Sequence, residues 1–345
     1  MKIAHINFSL DVGGIETMLV DILNEQCAQA DTSLILINDH FDADLLSRVD
    51  SRVAVHRIGR PKGSRNPFYL AKLNALLLRI QPDVIHCHNH QVAQWIWGNR
   101  GQRCLTVHDM QIPTQHFGLY NKLFAISESV SQDIQERSGF MAQSIYNGVQ
   151  TRQIEQKTTY SGKGHFKVLQ VSRLMHEKKG QHLLLEAVRQ LVYEQGMTQL
   201  RVDFVGEGTS RPFLEELTRT YGLEAYVTFA GLKSRPELYR ELKNYHLLVQ
   251  PSLYEGFGLT IAEAMAAGVP VLVSAIDGPM ELIRHNEFGY SFPSGDTGRL
   301  AGQISELVDS YESTTVRKKA LAAQQYVRGQ FDIRQTAGQY LANYL

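Results

Sequence analysis

Short apolar runs alternate along the chain with longer segments in which apolar residues return every three or four positions. The runs at 3–8, 33–37, 53–58, 84–86, 104–108 and 123–126 have the length of buried strands, and the segments between them have the length of helices. A β-helix-β alternation of this kind predicts a parallel sheet covered by helices on both faces. The pattern restarts at 167–171 and continues through 202–205, 227–230, 247–250 and 271–274. Two Rossmann-like α/β domains are therefore expected, 1–150 and 166–332. The polar stretch 151–165 between them contains Lys157, Gly162, Lys163 and Gly164 and is expected to act as a linker. Open sheets of this class bind ligands at the carboxyl ends of their strands, which places the expected site in a cleft between facing sheets.

One segment of the second domain carries the densest chemistry. Glu255-Gly256-Phe257-Gly258-Leu259-Thr260-Ile261-Ala262-Glu263 runs into Ala264-Met265-Ala266-Ala267-Gly268-Val269-Pro270. Leu259, Ile261, Ala262, Met265 and Ala266 predict an amphipathic helix stopped by Gly268 and Pro270. Gly258, Leu259 and Thr260 then lie at its N-terminus, where free backbone N–H groups and the positive dipole end suit a phosphate or diphosphate. A carboxylate beside phosphate is repelled, so Glu255 and Glu263 need another task, and accepting hydrogen bonds from hydroxyls is one. Ribose for Glu263 and a sugar for Glu255 together describe a nucleotide-sugar. A buried helix with two solvated glutamates is the plain alternative, which composition alone does not exclude.

The E-x7-E spacing of Glu255 and Glu263, inside Pro251-Ser252-Leu253-Tyr254-Glu255-Gly256-Phe257-Gly258-Leu259, resembles the signature of the retaining glycosyltransferases of family 4, and the order of motifs along the chain is similar to that family. The resemblance implies the GT-B fold, with acceptor binding in 1–150, nucleotide-sugar binding in 166–332 and a final helix, 333–345, that crosses back to the first domain. It maps Arg173 and Lys179, in Val171-Ser172-Arg173-Leu174-Met175-His176-Glu177-Lys178-Lys179-Gly180, onto the residues that neutralise the donor diphosphate, and makes Lys178 a solvated neighbour. A leaving nucleoside diphosphate gathers negative charge, which fixed cations stabilise. Gly13 and Gly14 are implied to offer N–H groups to the same diphosphate, and Glu16 to face the acceptor.

His108, in Leu105-Thr106-Val107-His108-Asp109, matches a histidine that lies near the transferred sugar in the family, and Asp109 is expected to hold its tautomer or the loop. His86-Cys87-His88-Asn89-His90 invites a zinc reading. No second ligand cluster completes such a site, and the resemblance instead makes His86 and His88 polar residues on the acceptor side. Asp42-Ala43-Asp44 superficially matches a metal-binding D-x-D but reads better as a helix start. No metal and no cofactor is expected. The catalytic set is thus His108, Glu255, Arg173 and Lys179, and donor binding adds Gly13, Gly14, Gly258, Leu259, Thr260 and Glu263. Gly206 and Gly231 mark two loops that resemble the family's base-binding turns, and Phe288-Gly289-Tyr290 reads as a structural turn. Trp95 and Trp97 are expected in a helix, packed in the core.

Composition narrows the partners. With 35 basic and 35 acidic residues in 345, no global charge argues for nucleic acid. Three cysteines without metal or disulfide spacing suit a reducing cytosol. The chain runs into its first strand without an apolar signal core, so a cytoplasmic protein is expected, with contact at the inner membrane face as the one elaboration. That contact rests on the acid-free stretch 51–82, where Arg60, Lys62 and Arg65 precede an amphipathic helix. The expected activity is hexose transfer from a UDP-sugar to a glycan or lipid-linked acceptor in bacterial surface polysaccharide or lipopolysaccharide assembly, with retention at the anomeric carbon. A non-transferring binding subunit and a GT-B nucleotide-sugar epimerase are the alternatives. Intact Glu255, Glu263, Arg173, Lys179 and His108 weigh against the first, and the E-x7-E spacing against the second.

Overall fold

A computed structural model describes residues 1–11, 13–98 and 101–345. It divides into two compact units, Met1–Val149 with Asp332–Leu345, and Gln150–Phe331.

The first unit is built on seven parallel strands, β1 (Lys2–Asn7), β2 (Asp31–Asn38), β3 (Ala54–Arg60), β4 (Val84–Cys87), β5 (Gln102–Val107), β6 (Lys122–Ala125) and β7 (Gln143–Ser144), in the order β3-β2-β1-β4-β5-β6-β7. The order reverses between β1 and β4, so the loops leaving these two strands diverge to opposite faces and open a crevice at their carboxyl ends. The β1 loop leads into the helix Gly14–Gln26, which is covered in turn by the last helix, Ile333–Asn343. Asp332 starts that helix by accepting from the Arg334 amide. Tyr340 and Tyr344 are fully buried in the same unit.

The second unit repeats the design with β8 (Phe166–Val171), β9 (Leu200–Val205), β10 (Val227–Gly231), β11 (Leu247–Gln250), β12 (Val271–Ser274) and β13 (Tyr290–Phe292), in the order β10-β9-β8-β11-β12-β13. All its pairings are parallel. Apolar side chains of β8, β9 and β11 pack against Leu184, Leu185, Val188 and Leu191 of the helix Gln181–Tyr193. Here the reversal falls between β8 and β11, which makes the loops after Val171 and Gln250 neighbours.

Several expectations shift. Residues 151–165 carry no strand or helix but lie along the second unit rather than standing free. The Lys157 ammonium is buried and donates to the carbonyls of Lys243 and Tyr245, both at 2.9 Å, and burial lowers its pKa to about 8. The helix Leu259–Ala267 is not amphipathic: every residue from Ile261 to Ala267 is buried. Phe288-Gly289-Tyr290 leads into an edge strand rather than remaining a turn. Trp95 closes a single 3₁₀ turn and Trp97 is half exposed, so neither sits in a helix core. Asp42 does start a helix, its carboxylate accepting from the Leu45 amide at 2.7 Å. No helix among the described residues is long and apolar enough to cross a membrane.

Candidate functional site

In the second unit the loops after β8 and β11 bring Lys179 and Glu255 together. Lys179 Nζ stands 2.6 Å from Glu255 Oε2, and both side chains are largely buried. Lys179 ends a one-turn helix, His176–Lys179, and the β11 loop is tied to that turn by the amides of Leu253 and Tyr254, which donate to the Lys178 carbonyl. The Lys178 carbonyl thus joins the two loops. Gln181, fully buried, donates to the Arg173 carbonyl at 3.0 Å and the Ser172 hydroxyl at 2.9 Å, which fixes the strand exit from which the exposed Arg173 side chain projects. The loops after β8, β9 and β10 are joined by Leu174 N donating to Glu207 O and Gly206 N to Gly231 O.

The helix Leu259–Ala267 begins at Gly258, whose φ of +99° is costly for any residue with a Cβ, and no side chain caps it. Its first-turn N–H groups, Leu259 and Thr260 among them, are the ones a helix cannot satisfy from within. The Glu255-Gly256 backbone just before it is backed by Gly278: a Cβ there would stand 2.5 Å from the Glu255 carbonyl oxygen. One turn into the helix, Glu263 is 5% exposed. Its Oε1 accepts from the Tyr239 hydroxyl at 3.0 Å and lies 3.4 Å from Arg235. A carboxylate buried this far needs such partners. Residues 255, 258–260, 263, 173 and 179 thus belong to one end of one sheet, around an uncapped helix N-terminus and two cations. That arrangement can hold a phosphorylated group and accept hydroxyl hydrogens beside it. Gln181, Arg235 and Tyr239 were not singled out by the sequence; their spacing from the motif carries no signal.

In the first unit Gly13 precedes the helix Gly14–Gln26 with extended backbone, and Glu16 lies half-buried in its first turn. His108 follows β5 directly. Its Nε2 lies 3.1 Å from His88 Nδ1, while its Nδ1 is buried without a hydrogen-bond partner. Asp109 accepts from its neighbour Met110 N at 3.0 Å, and the ring of His108 meets His88. His86, expected on the acceptor side, is fully buried, with Nδ1 2.8 Å from the Tyr344 hydroxyl and Nε2 2.7 Å from the Thr106 hydroxyl. The strand order also adds a ring that the sequence motif lacks: His5 of β1 stands in register with His86 of β4, and its Nδ1 lies 3.1 Å from His88 Nε2. Burial pushes His5 and His108 down to about 4, and His86 and His88 well below the ordinary imidazole range, so all four rings are neutral near pH 7.

Comparison with known proteins matches both units. The family model described as glycosyl transferases group 1 matches residues 151–324, just over half of the chain, and that described as Glycosyltransferase Family 4 matches residues 12–153. The chain is 31% identical over 156 residues to an uncharacterized glycosyltransferase of Methanocaldococcus jannaschii, and 32% identical over 169 residues to the glycogen synthase of Mycobacterium tuberculosis. These matches cover 42% and 49% of this chain but 39% and 40% of those proteins, so the chain spans about two fifths of their length. The lipopolysaccharide 1,6-galactosyltransferase of Salmonella typhimurium is 24% identical over 331 residues, 89% of this chain and 90% of that one. Among solved structures, HepE of Anabaena in complex with UDP and glucose is similar with a TM-score of 0.82 and 24% identity, over 99% of this chain and 98% of that one. Sucrose-phosphate synthase of Thermosynechococcus elongatus gives 0.83 at 19% identity, over 100% and 98%. With family models matched across both of its sheets and GT-B structures aligned along nearly its whole length, this chain belongs to the group 1 glycosyl transferases of glycosyltransferase family 4 and has their GT-B fold.

Proposed function

We propose that the chain transfers a hexose from a UDP-sugar to a glycan or lipid-linked acceptor, with retention, in the assembly of bacterial surface polysaccharide. The Lys179–Glu255 pair beside the uncapped start of Leu259–Ala267 carries this reading. The diphosphate lies against the N–H groups of Leu259 and Thr260, with Lys179 and Arg173 balancing its charge. Lys179 has three donors and gives one to Glu255, which leaves two for phosphate oxygens. Glu255 accepts from the sugar and Glu263 from the ribose. As the anomeric C–O bond breaks, electrons pass to the diphosphate, whose freed oxygen takes the acceptor hydroxyl's proton while that hydroxyl bonds the same face of the sugar. UDP is favoured over other nucleotides because HepE, similar over nearly the whole chain, is known in complex with UDP and with UDP-glucose. The full-length similarity to a lipopolysaccharide galactosyltransferase supports a surface-glycan acceptor.

Thermal melting with UDP, GDP, ADP and their hexose conjugates tests this. At a ligand concentration of ~100 Kd the folded state gains about 2.7 kcal/mol, so UDP should raise Tm clearly and Glu263→Ala should diminish the rise. A larger rise with GDP or ADP removes the UDP assignment, and an undiminished rise in Glu263→Ala removes the ribose role. Proton NMR of the product from an α-linked donor should show the α configuration, and a β product would overturn retention.

Contact with an anionic membrane rests on Lys62 and Arg65, both exposed. Arg60 is otherwise engaged: it donates to the Ser64 carbonyl and Asn38 Oδ1, and its guanidinium lies 4.8 Å from the Trp95 ring centre. Reversing Lys62 and Arg65 to Glu should lower sedimentation with anionic liposomes at low salt. Unchanged sedimentation would end the membrane proposal.

A further inference from the structure

Three histidines of the first unit, His5, His88 and His108, form one directed chain. With the Gln26 amide oxygen toward His5, His5 Nε2 donates to it at 2.8 Å. A neutral imidazole has one donor and one acceptor nitrogen. His5 Nδ1 must therefore accept, and His88 Nε2–H is its donor at 3.1 Å. His88 Nδ1 in turn accepts from His108 Nε2–H at 3.1 Å. The chain ends at His108 Nδ1, a buried lone pair with no partner.

The other end of the same amide is fixed as well. Gln26 Nε2 donates to the Tyr344 hydroxyl at 3.0 Å, and that hydroxyl donates to His86 Nδ1 at 2.8 Å. His86 Nε2–H then donates to Thr106 Oγ1 at 2.7 Å, and Thr106 to the Tyr340 hydroxyl at 3.1 Å. Turning the Gln26 amide over would reverse both runs at once. His108 Nδ1 would then carry a proton and become a buried donor without an acceptor.

We propose that Gln26, His5 and His88 are positioning residues that hold His108 as its Nε2–H tautomer, so that Nδ1 is an acceptor aimed at a hydroxyl of the bound ligand. This deepens the function proposed above and rests on that reading for the identity of the hydroxyl. No protein group pairs with Nδ1, and a ligand O–H that reaches it supplies the hydrogen bond its lone pair can accept. A hydroxyl meets a fixed acceptor there, whereas a ligand carbonyl or phosphate oxygen meets lone pair against lone pair. The site thereby selects a sugar with a free hydroxyl at that position over its deoxy or O-methyl counterpart.

A metal reading competes, because His5, His86 and His88 place ligand atoms within 4.8 Å of one another. Both nitrogens of His86 are engaged by hydroxyls, and the facing nitrogens of His5 and His88 are already at hydrogen-bond distance. One proton shared in each gap accounts for the geometry without an ion.

The test is ¹⁵N NMR of histidine-labelled protein at pH 7.5 without ligand, with zinc measured on the same sample by atomic emission. His108 should show a protonated Nε2 and an unprotonated Nδ1. His88→Asn, whose amide oxygen can stand where Nδ1 was, should keep that signature. His88→Phe should lose it, with kcat/KM for the donor falling about tenfold, the worth of one net hydrogen bond. A protonated Nδ1 in the unaltered protein, a doubly protonated ring, or stoichiometric zinc would each overturn the proposal. The signature is read without donor or acceptor, so failure of the transferase reading leaves it standing, and its failure leaves that reading untouched.

Discussion

Lys179→Ala is expected to lower kcat for transfer by about a thousandfold while the protein stays folded. Removing one donor from a site where charge develops costs roughly 10²–10³ in rate. Lys179 is expected at the upper end because its loss does two things: a cation leaves, and Glu255, now unpaired and largely enclosed, faces the diphosphate. Lys179→Arg restores charge but not shape, since a planar fork replaces a compact ammonium beside Glu255, and recovers only part of the rate. Lys178→Ala stays near the unaltered enzyme because its backbone carbonyl, which holds Leu253 and Tyr254, survives the change. Steady-state kinetics on the three variants, with melting curves as the control for folding, decide it. A Lys179→Ala rate within threefold of the unaltered enzyme would remove Lys179 from the site.

Tyr340→Ala is the largest expected loss of stability. The side chain is fully buried, its ring centre lies 5.3 Å from that of Phe124 and 5.1 Å from that of His86, and its hydroxyl accepts from Thr106. Truncating a buried aromatic costs about 3–5 kcal/mol. At roughly 2–4 °C per kcal/mol for a domain of this size, Tm falls by about 10 °C. Tyr340→Phe removes only the hydroxyl and costs about 1 kcal/mol. Scanning calorimetry separates the two, and a Tyr340→Ala protein melting within 2 °C of the unaltered one would mean that the final helix does not pack as described.

Apolar runs located eleven of the thirteen strands among the described residues, down to the short run at 84–86 within Val84–Cys87. The two that escaped are Gln143–Ser144, which holds no apolar residue, and Tyr290–Phe292, whose three residues are interrupted by Ser291 and follow Gly289. The Ala-rich helix Leu259–Ala267 reads as one-sided because alanine is neutral in a hydrophobic pattern, yet its small side chains are what allow it to be buried all round. For the site, Lys179 and Glu255 were legible through their motifs, and their pairing follows from β8 and β11 being neighbours. The partners of Glu263 were not legible, since Arg235 and Tyr239 precede it by more than twenty residues. Nor was the histidine chain: residues 5, 26, 88 and 108 meet only because the strand order places β1, β4 and β5 side by side. His86 shows the converse, a residue chosen for its place in a motif that the fold uses as core.

The first unit is finished by the last fourteen residues, 332–345, with the 182 residues of 150–331 coming between. Synthesis runs from the N-terminus at about 5–20 residues per second, so roughly 10–35 s pass between the appearance of Val149 and that of the closing helix. Through that interval the nascent chain carries a sheet whose histidine face still lacks Tyr340 and Tyr344, and a ribosome that stalls anywhere in the second unit leaves behind a first unit that has no means of completing itself.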